Sequence, residues 1–122
     1  MNGLGLLLMT QCIWTEAEAL YRRALAIDEQ SFGPEHPNVA RDLHNLARLL
    51  QATNRLTEAE PLMRRVVEIF LSFTAQTGHE HLHLRAAIGN YAALLKQRGD
   101  NPEEVSAKLN AVAARYGLPL GD

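Results

Sequence analysis

Apolar residues return at steps of three and four along almost the whole chain. Val39, Leu43, Leu46, Ala47 and Leu50 form one stripe, and Leu84, Ile88, Tyr91, Ala92 and Leu95 repeat its spacing. Leu56, Ala59, Met63, Val66, Phe70 and Phe73 make a third, and Trp14, Ala17, Tyr21 and Ala24 a fourth. This spacing follows the 3.6-residue turn of an α-helix, and no stretch keeps the period of two that a half-buried strand needs. The pattern predicts an all-α protein.

The breaks between stripes are equally legible. Thr15-Glu16-Ala17-Glu18 and Thr57-Glu58-Ala59-Glu60 match the capping box, in which a threonine hydroxyl and a glutamate three residues on satisfy free backbone N–H groups. Asn101-Pro102-Glu103-Glu104 is a third helix start, with proline where its missing N–H costs nothing. Pro37 also reads as a first-turn proline, which pushes His36 out of helical geometry. Gly33 and Gly78 suit left-handed caps, and Asn54 and Gly99 suit tight turns between helices. Six helices follow, at roughly 2–11, 15–31, 37–53, 57–76, 82–98 and 102–116. Their short connections make sequential helices antiparallel neighbours.

The chain also repeats itself. The two T-E-A-E boxes lie 42 residues apart, and LHNLARLL (43–50) returns as IGNYAALL (88–95) after 45. FGPEHPNVA (32–40) aligns with TGHEHLHLR (77–85) at that second offset. A period of this length predicts stacked helical hairpins, each burying its apolar face against the next.

NLARLLQATNRLTEAEPLMRRVV resembles a tetratricopeptide repeat, and the preceding YRRALAIDEQSFGPEHPNVA resembles the longer variety found in kinesin light chains and their prokaryotic relatives. The resemblance covers nearly all of residues 1–122 as a single domain. It implies an α-α superhelix of three repeats, 2–31, 37–76 and 82–116, with the last helix as a polar C-terminal cap. There are departures: Cys12 and Asn54 stand where the turn usually has glycine, and Asn101 replaces the usual turn aromatic. In this family the inner helices line a concave groove for an extended peptide or a partner helix, with no cofactor. The face of helix 37–53 opposite its core stripe carries Arg41, His44, Asn45 and Arg48, and helix 82–98 offers Asn90, Lys96 and Gln97 at matching places. The resemblance gives Asn45 and Asn90 the position that contacts ligand backbone. The neighbouring cations favour a ligand bearing carboxylates, which a guanidinium pairs bidentately.

Charge and composition narrow the remaining choices. With 47% hydrophobic and 21% charged residues, the chain can fill one modest core and is not disordered. The net charge of −2 is spread without a basic block, which argues against nucleic acid as a partner. The lone Cys12 allows no internal disulfide and fits a reducing, cytoplasmic setting. Leu4 to Met9 is apolar, yet no cation precedes Arg22 and the run is too short to span a bilayer, so neither a signal peptide nor a membrane span is expected.

One motif points elsewhere. HEHLH (79–83) matches the H-E-x-x-H pattern by which one helix face offers two histidines to zinc and a glutamate to the attacking water. The internal alignment sets His81 against His36 and starts the helix near residue 82, which leaves His79 in the turn. Zinc hydrolysis is therefore the remote reading, and His79, His81 and His83 are expected to hold metal adventitiously at most. No other catalytic set stands out, and the chain is expected not to be an enzyme.

The N-terminus raises a separate question. Leu4, Leu6, Leu7, Leu8 and Met9 point in almost every direction around a helix, so one neighbour cannot bury them all. Leu4, Leu6, Leu7 and Met9 are the candidate self-association residues, giving a homodimer through residues 2–11 and the start of the next helix. Two functions remain. One is an interaction module with a groove ligand; the other is an oligomerising piece of a longer array without one.

Overall fold

A computed structural model describes residues 3–79 and 83–117, with side chains from Ile13 onward. It holds five helices and, among the described residues, no strand: α1 (Gly3–Phe32), α2 (Pro37–Ala52), α3 (Leu56–Thr77), α4 (Leu84–Arg98) and α5 (Pro102–Ala114). Each helix packs on the next in sequence, and α3 also touches α5. The all-α reading holds, and the count of six does not.

The discrepancy lies at the N-terminus, where the expected helices 2–11 and 15–31 are one continuous α1. A capping box is a local option that competes with continuation. Continuing the helix pairs the backbone groups that a break would leave open at both ends. Nothing between Gln11 and Thr15 forces a break, because the turn glycine is replaced by Cys12 and there is no proline. The second box is not used either. α3 begins at Leu56, and its N-cap Arg55 makes no side-chain cap bond. Arg55 instead bridges Glu58 in the first turn of α3 and Glu18 of α1.

The other punctuation behaves as read. His36 is extended (φ −79°, ψ 144°) ahead of Pro37, and its Nδ1 caps α2 by accepting the Asn38 N–H at 3.0 Å. Asn54 takes the left-handed conformation (φ 62°) in the α2–α3 turn, the one such non-glycine position among the described residues. Asn101 forms the complete capping box on α5: its side chain accepts the Glu104 N–H at 2.8 Å, and Glu104 accepts the Asn101 N–H at 3.0 Å. Asn101→Ala loses the side-chain bond to the Glu104 N–H and should cost about 1 kcal/mol, read as a shift in the urea unfolding midpoint.

The core lies between α2, α3 and α4. Val39, Leu43, Leu46 and Leu50 meet Met63, Val66, Val67 and Leu71, and beyond these Tyr91, Leu94 and Leu95, all at 2% exposure or less. The Tyr91 hydroxyl donates to Glu60 at 3.1 Å, so its polar end is satisfied; burial, then the Glu60 charge, push it up to about 12. α5 closes this end with Val105, Val112 and Ala113. Asp100 accepts from both Arg98 and Lys108 and ties the end of α4 to α5. Not every stripe residue is interior. Phe73 and Tyr21 are 36% exposed and Trp14 37%, and no described side chain of α1 is buried.

Candidate functional site

Two helices of like orientation, α2 and α4, flank α3 and leave a hollow of about 480 Å³ between them. Val66 and Phe70 of α3 form its apolar floor together with Ala87 of α4. Arg41 and His44 of α2 and His83 and Asn90 of α4 form its polar walls. The helical period puts them there: Val39, Leu43, Leu46 and Leu50 turn into the core, which sends Arg41, His44, Asn45 and Arg48 to the opposite side of α2.

The structure unites only part of the set expected from sequence. Arg41, His44 and Asn90 share the hollow, whereas Asn45, Arg48, Lys96 and Gln97 do not line it. Gln97 instead accepts a 2.7 Å hydrogen bond from Gln51 and joins α2 to α4 further along. Arg48 and Lys96 are exposed on those same helices, and Asn45 is half-buried. The floor and His83 were not among the expected groove residues. Phe70 belongs to a core stripe, and its 6% exposure agrees with that. Its ring also stands 6.2 Å from that of His83, which places it at the edge of the hollow.

Charge in the hollow is partly compensated. Arg41 is 3.7 Å from Asp28 of α1 and 3.8 Å from Asp42, yet its own side chain stays 64% exposed. Burial, and then the charge of Arg48, hold the His44 imidazole below its ordinary range, so it is neutral at pH 7 and can both donate and accept. Behind Arg41 lies an unusual acid. Asp42 is buried, and its Oδ2 has no hydrogen-bond partner. Burial pushes it up to about 6, helped by the hydrogen bond and charge of Asp28, with Arg41 pulling the other way.

The zinc motif loses its geometry. H-E-x-x-H needs both histidines on one helix, but α3 ends at Thr77, Gly78 is its left-handed cap, and α4 begins only at Leu84. His79 lies in the bend, its N–H donating to Thr77 Oγ1 at 3.2 Å, while His83 precedes α4 and turns to Phe70. His81 lies outside the described residues, as do the side chains of Leu4, Leu6, Leu7 and Met9. Among the described residues no three His, Cys, Asp or Glu side chains form a group that could hold a metal ion. No described helix is long and apolar enough to cross a membrane.

Antiparallel helices repeating at 42 to 45 residues, with inner faces flanking an open hollow, define a helical-hairpin repeat protein. The family follows from comparison: the tetratricopeptide repeat model matches residues 1–72, and the chain belongs to that family. It is 32% identical over 84 residues to human tetratricopeptide repeat protein 19, mitochondrial. The match covers 69% of this chain but 20% of that relative, so the chain spans about a fifth of its length.

Proposed function

We propose that this chain is a non-enzymatic interaction module that holds a peptide or partner segment bearing carboxylates between α2 and α4. The observation that carries the reading is an apolar floor, Val66 and Phe70, walled by Arg41, His44, His83 and Asn90. Small recognition sites share this makeup, an apolar base with a few placed polar groups. The floor takes an apolar side chain of the ligand, Asn90 and His44 meet its backbone, and Arg41 meets a carboxylate. Asn45, Arg48, Lys96 and Gln97 extend the same surface along α2 and α4 toward the far end of a longer ligand.

The test is a peptide-library selection on immobilised protein beside a His44→Ala, Asn90→Ala double variant. Peptides carrying Asp or Glu next to an apolar residue should be enriched, and the variant should bind them at least about tenfold more weakly. An unaffected motif, or no enrichment by folded wild type, overturns the reading.

Other features extend the reading. The long, kinesin-light-chain-like form of the repeat is supported by FGPEHPNVA, in which His36 caps α2 beside Phe32 at a 4.5 Å ring separation. We treat the three repeats as one domain with α5 as its cap, since Glu103, Glu104, Ser106 and Asn110 are exposed on it. A cytoplasmic location is supported by the charge balance and the lone cysteine, although the human relative is named mitochondrial. Self-association through α1, with or without a groove ligand, is favoured by its exposed apolar residues: Ile13, Leu20 and Ile27 are 60%, 63% and 53% exposed.

A further inference from the structure

One face of α1 is left bare by the rest of the chain. Ile13, Leu20 and Ile27 are spaced by seven, and Ala17 and Ala24 fall between them at alternating steps of four and three. The second repeat shows what such a face normally does. Forty-two residues on, the counterparts of Ala17, Tyr21 and Ile27 are Ala59, Met63 and Ile69, which are 0%, 1% and 3% exposed. On α1 Tyr21 and Ile27 are 36% and 53% exposed, and Ala17 is half-buried.

We propose that this face seats the same face of a second copy of the chain, the two α1 helices running antiparallel with Leu20 of each against Ala17 of the other. The inference rests on the self-association reading above and gives it an orientation and a register.

Size complementarity sets the orientation. In the heptad frame the stripe has small residues at one core position, Ala17 and Ala24, and large ones at the other, Ile13, Leu20 and Ile27. Antiparallel helices pair unlike core positions, so the four layers formed by Ile13, Ala17, Leu20 and Ala24 of the two copies each set an alanine against a leucine or isoleucine, and the helices can approach closely. Parallel helices would set Ala17 on Ala17 and Ala24 on Ala24, leaving gaps beside overfilled layers.

Charge sets the register. Glu16 and Arg23 flank the stripe on its far edge, both exposed and neither in an ion pair among the described residues. Their neighbours Glu18 and Arg22 are engaged with each other, and Glu18 with Arg55. In the proposed register Glu16 of one copy lies opposite Arg23 of the other, twice over by symmetry. Sliding one heptad in one direction sets Arg23 against Arg23, and in the other Glu16 against Glu16. Like charges facing across a helix pair disfavour both slips. The long α1 fits this arrangement, because its backbone up to Gly3 then runs beside the Ile27 end of the second helix.

Light scattering across a dilution series tests it, with circular dichroism to confirm that each variant is folded. Wild type should show twice the 13.6 kDa chain mass. Arg23→Glu places Glu16 opposite a glutamate and should weaken the dimer at least about tenfold. Adding Glu16→Arg to that variant restores opposite charges and should restore the dimer. A wild type that stays monomeric at every concentration overturns self-association altogether. A dimer indifferent to Arg23→Glu, or one that the double variant leaves weakened, overturns the antiparallel register while sparing self-association.

Discussion

Replacing Asp42 with asparagine will make the protein more stable at pH 7.5, not less. Asp42 is buried beside Asp28, and its carboxyl is pushed up to about 6 from an ordinary 3.8. A folded-state value above the unfolded one means that the folded chain binds the proton more tightly. Stability from this group is therefore fully present below about pH 3.8 and is lost as pH rises from there through about 6. At about 1.4 kcal/mol per unit, the ionised side chain then costs the fold on the order of 1–3 kcal/mol, net of the attraction of Arg41. Asparagine keeps the shape and stays neutral. Thermal melts at pH 7.5 should show Asp42→Asn above wild type by several degrees, with the gap closing toward pH 4. Equal melting at both pH values, or a variant less stable at pH 7.5, would refute the assignment.

The opposite slope comes from the ion-paired carboxylates Glu18 and Asp100. Arg55 and Arg22 hold Glu18 below its usual range, and Arg98 and Lys108 do the same for Asp100. Both favour folding above their ordinary range and lose that contribution as pH falls. The difference between wild type and Asp42→Asn cancels them, and for that reason the comparison is more telling than either melt alone.

Asp42 also marks how far the sequence could be read. The period of the stripes gave the helices α2 to α5 to within two residues, because burial on one face is what the period encodes. The joining of residues 2–11 and 15–31 into one α1 was not legible that way. Whether Thr15 caps a helix or sits within one depends on what the preceding ten residues would gain by folding back, which is a tertiary question. The groove was half legible for a related reason. Helix periodicity separates core from surface, so Arg41, His44, Asn90 and Lys96 could all be placed on exposed faces. It does not say where along α2 and α4 the two helices part to leave a hollow over Val66 and Phe70. Asp42, polar and inside a run of buried positions, breaks the pattern, and only the approach of Asp28 from α1 gives that break a meaning.

Leu46 and Leu20 make the same point as a measurement. Each is a leucine on a regular helix, yet Leu46 is 0% exposed between α2, α3 and α4, and Leu20 is 63% exposed on α1. Leu46→Ala removes buried methyl groups from a core cluster that cannot collapse freely around the gap, and it should cost about 2–5 kcal/mol. Against a stability of the usual order for one domain, that is enough to leave the variant marginal near body temperature. Leu20→Ala should stay within about 0.5 kcal/mol, since its side chain gains little from folding within one chain. Both are best compared by urea unfolding in the Arg23→Glu background at low protein concentration, where self-association is weakened. A Leu20→Ala cost approaching that of Leu46→Ala would mean that α1 is covered within a single chain. The bare face on which the second copy is seated would then not exist.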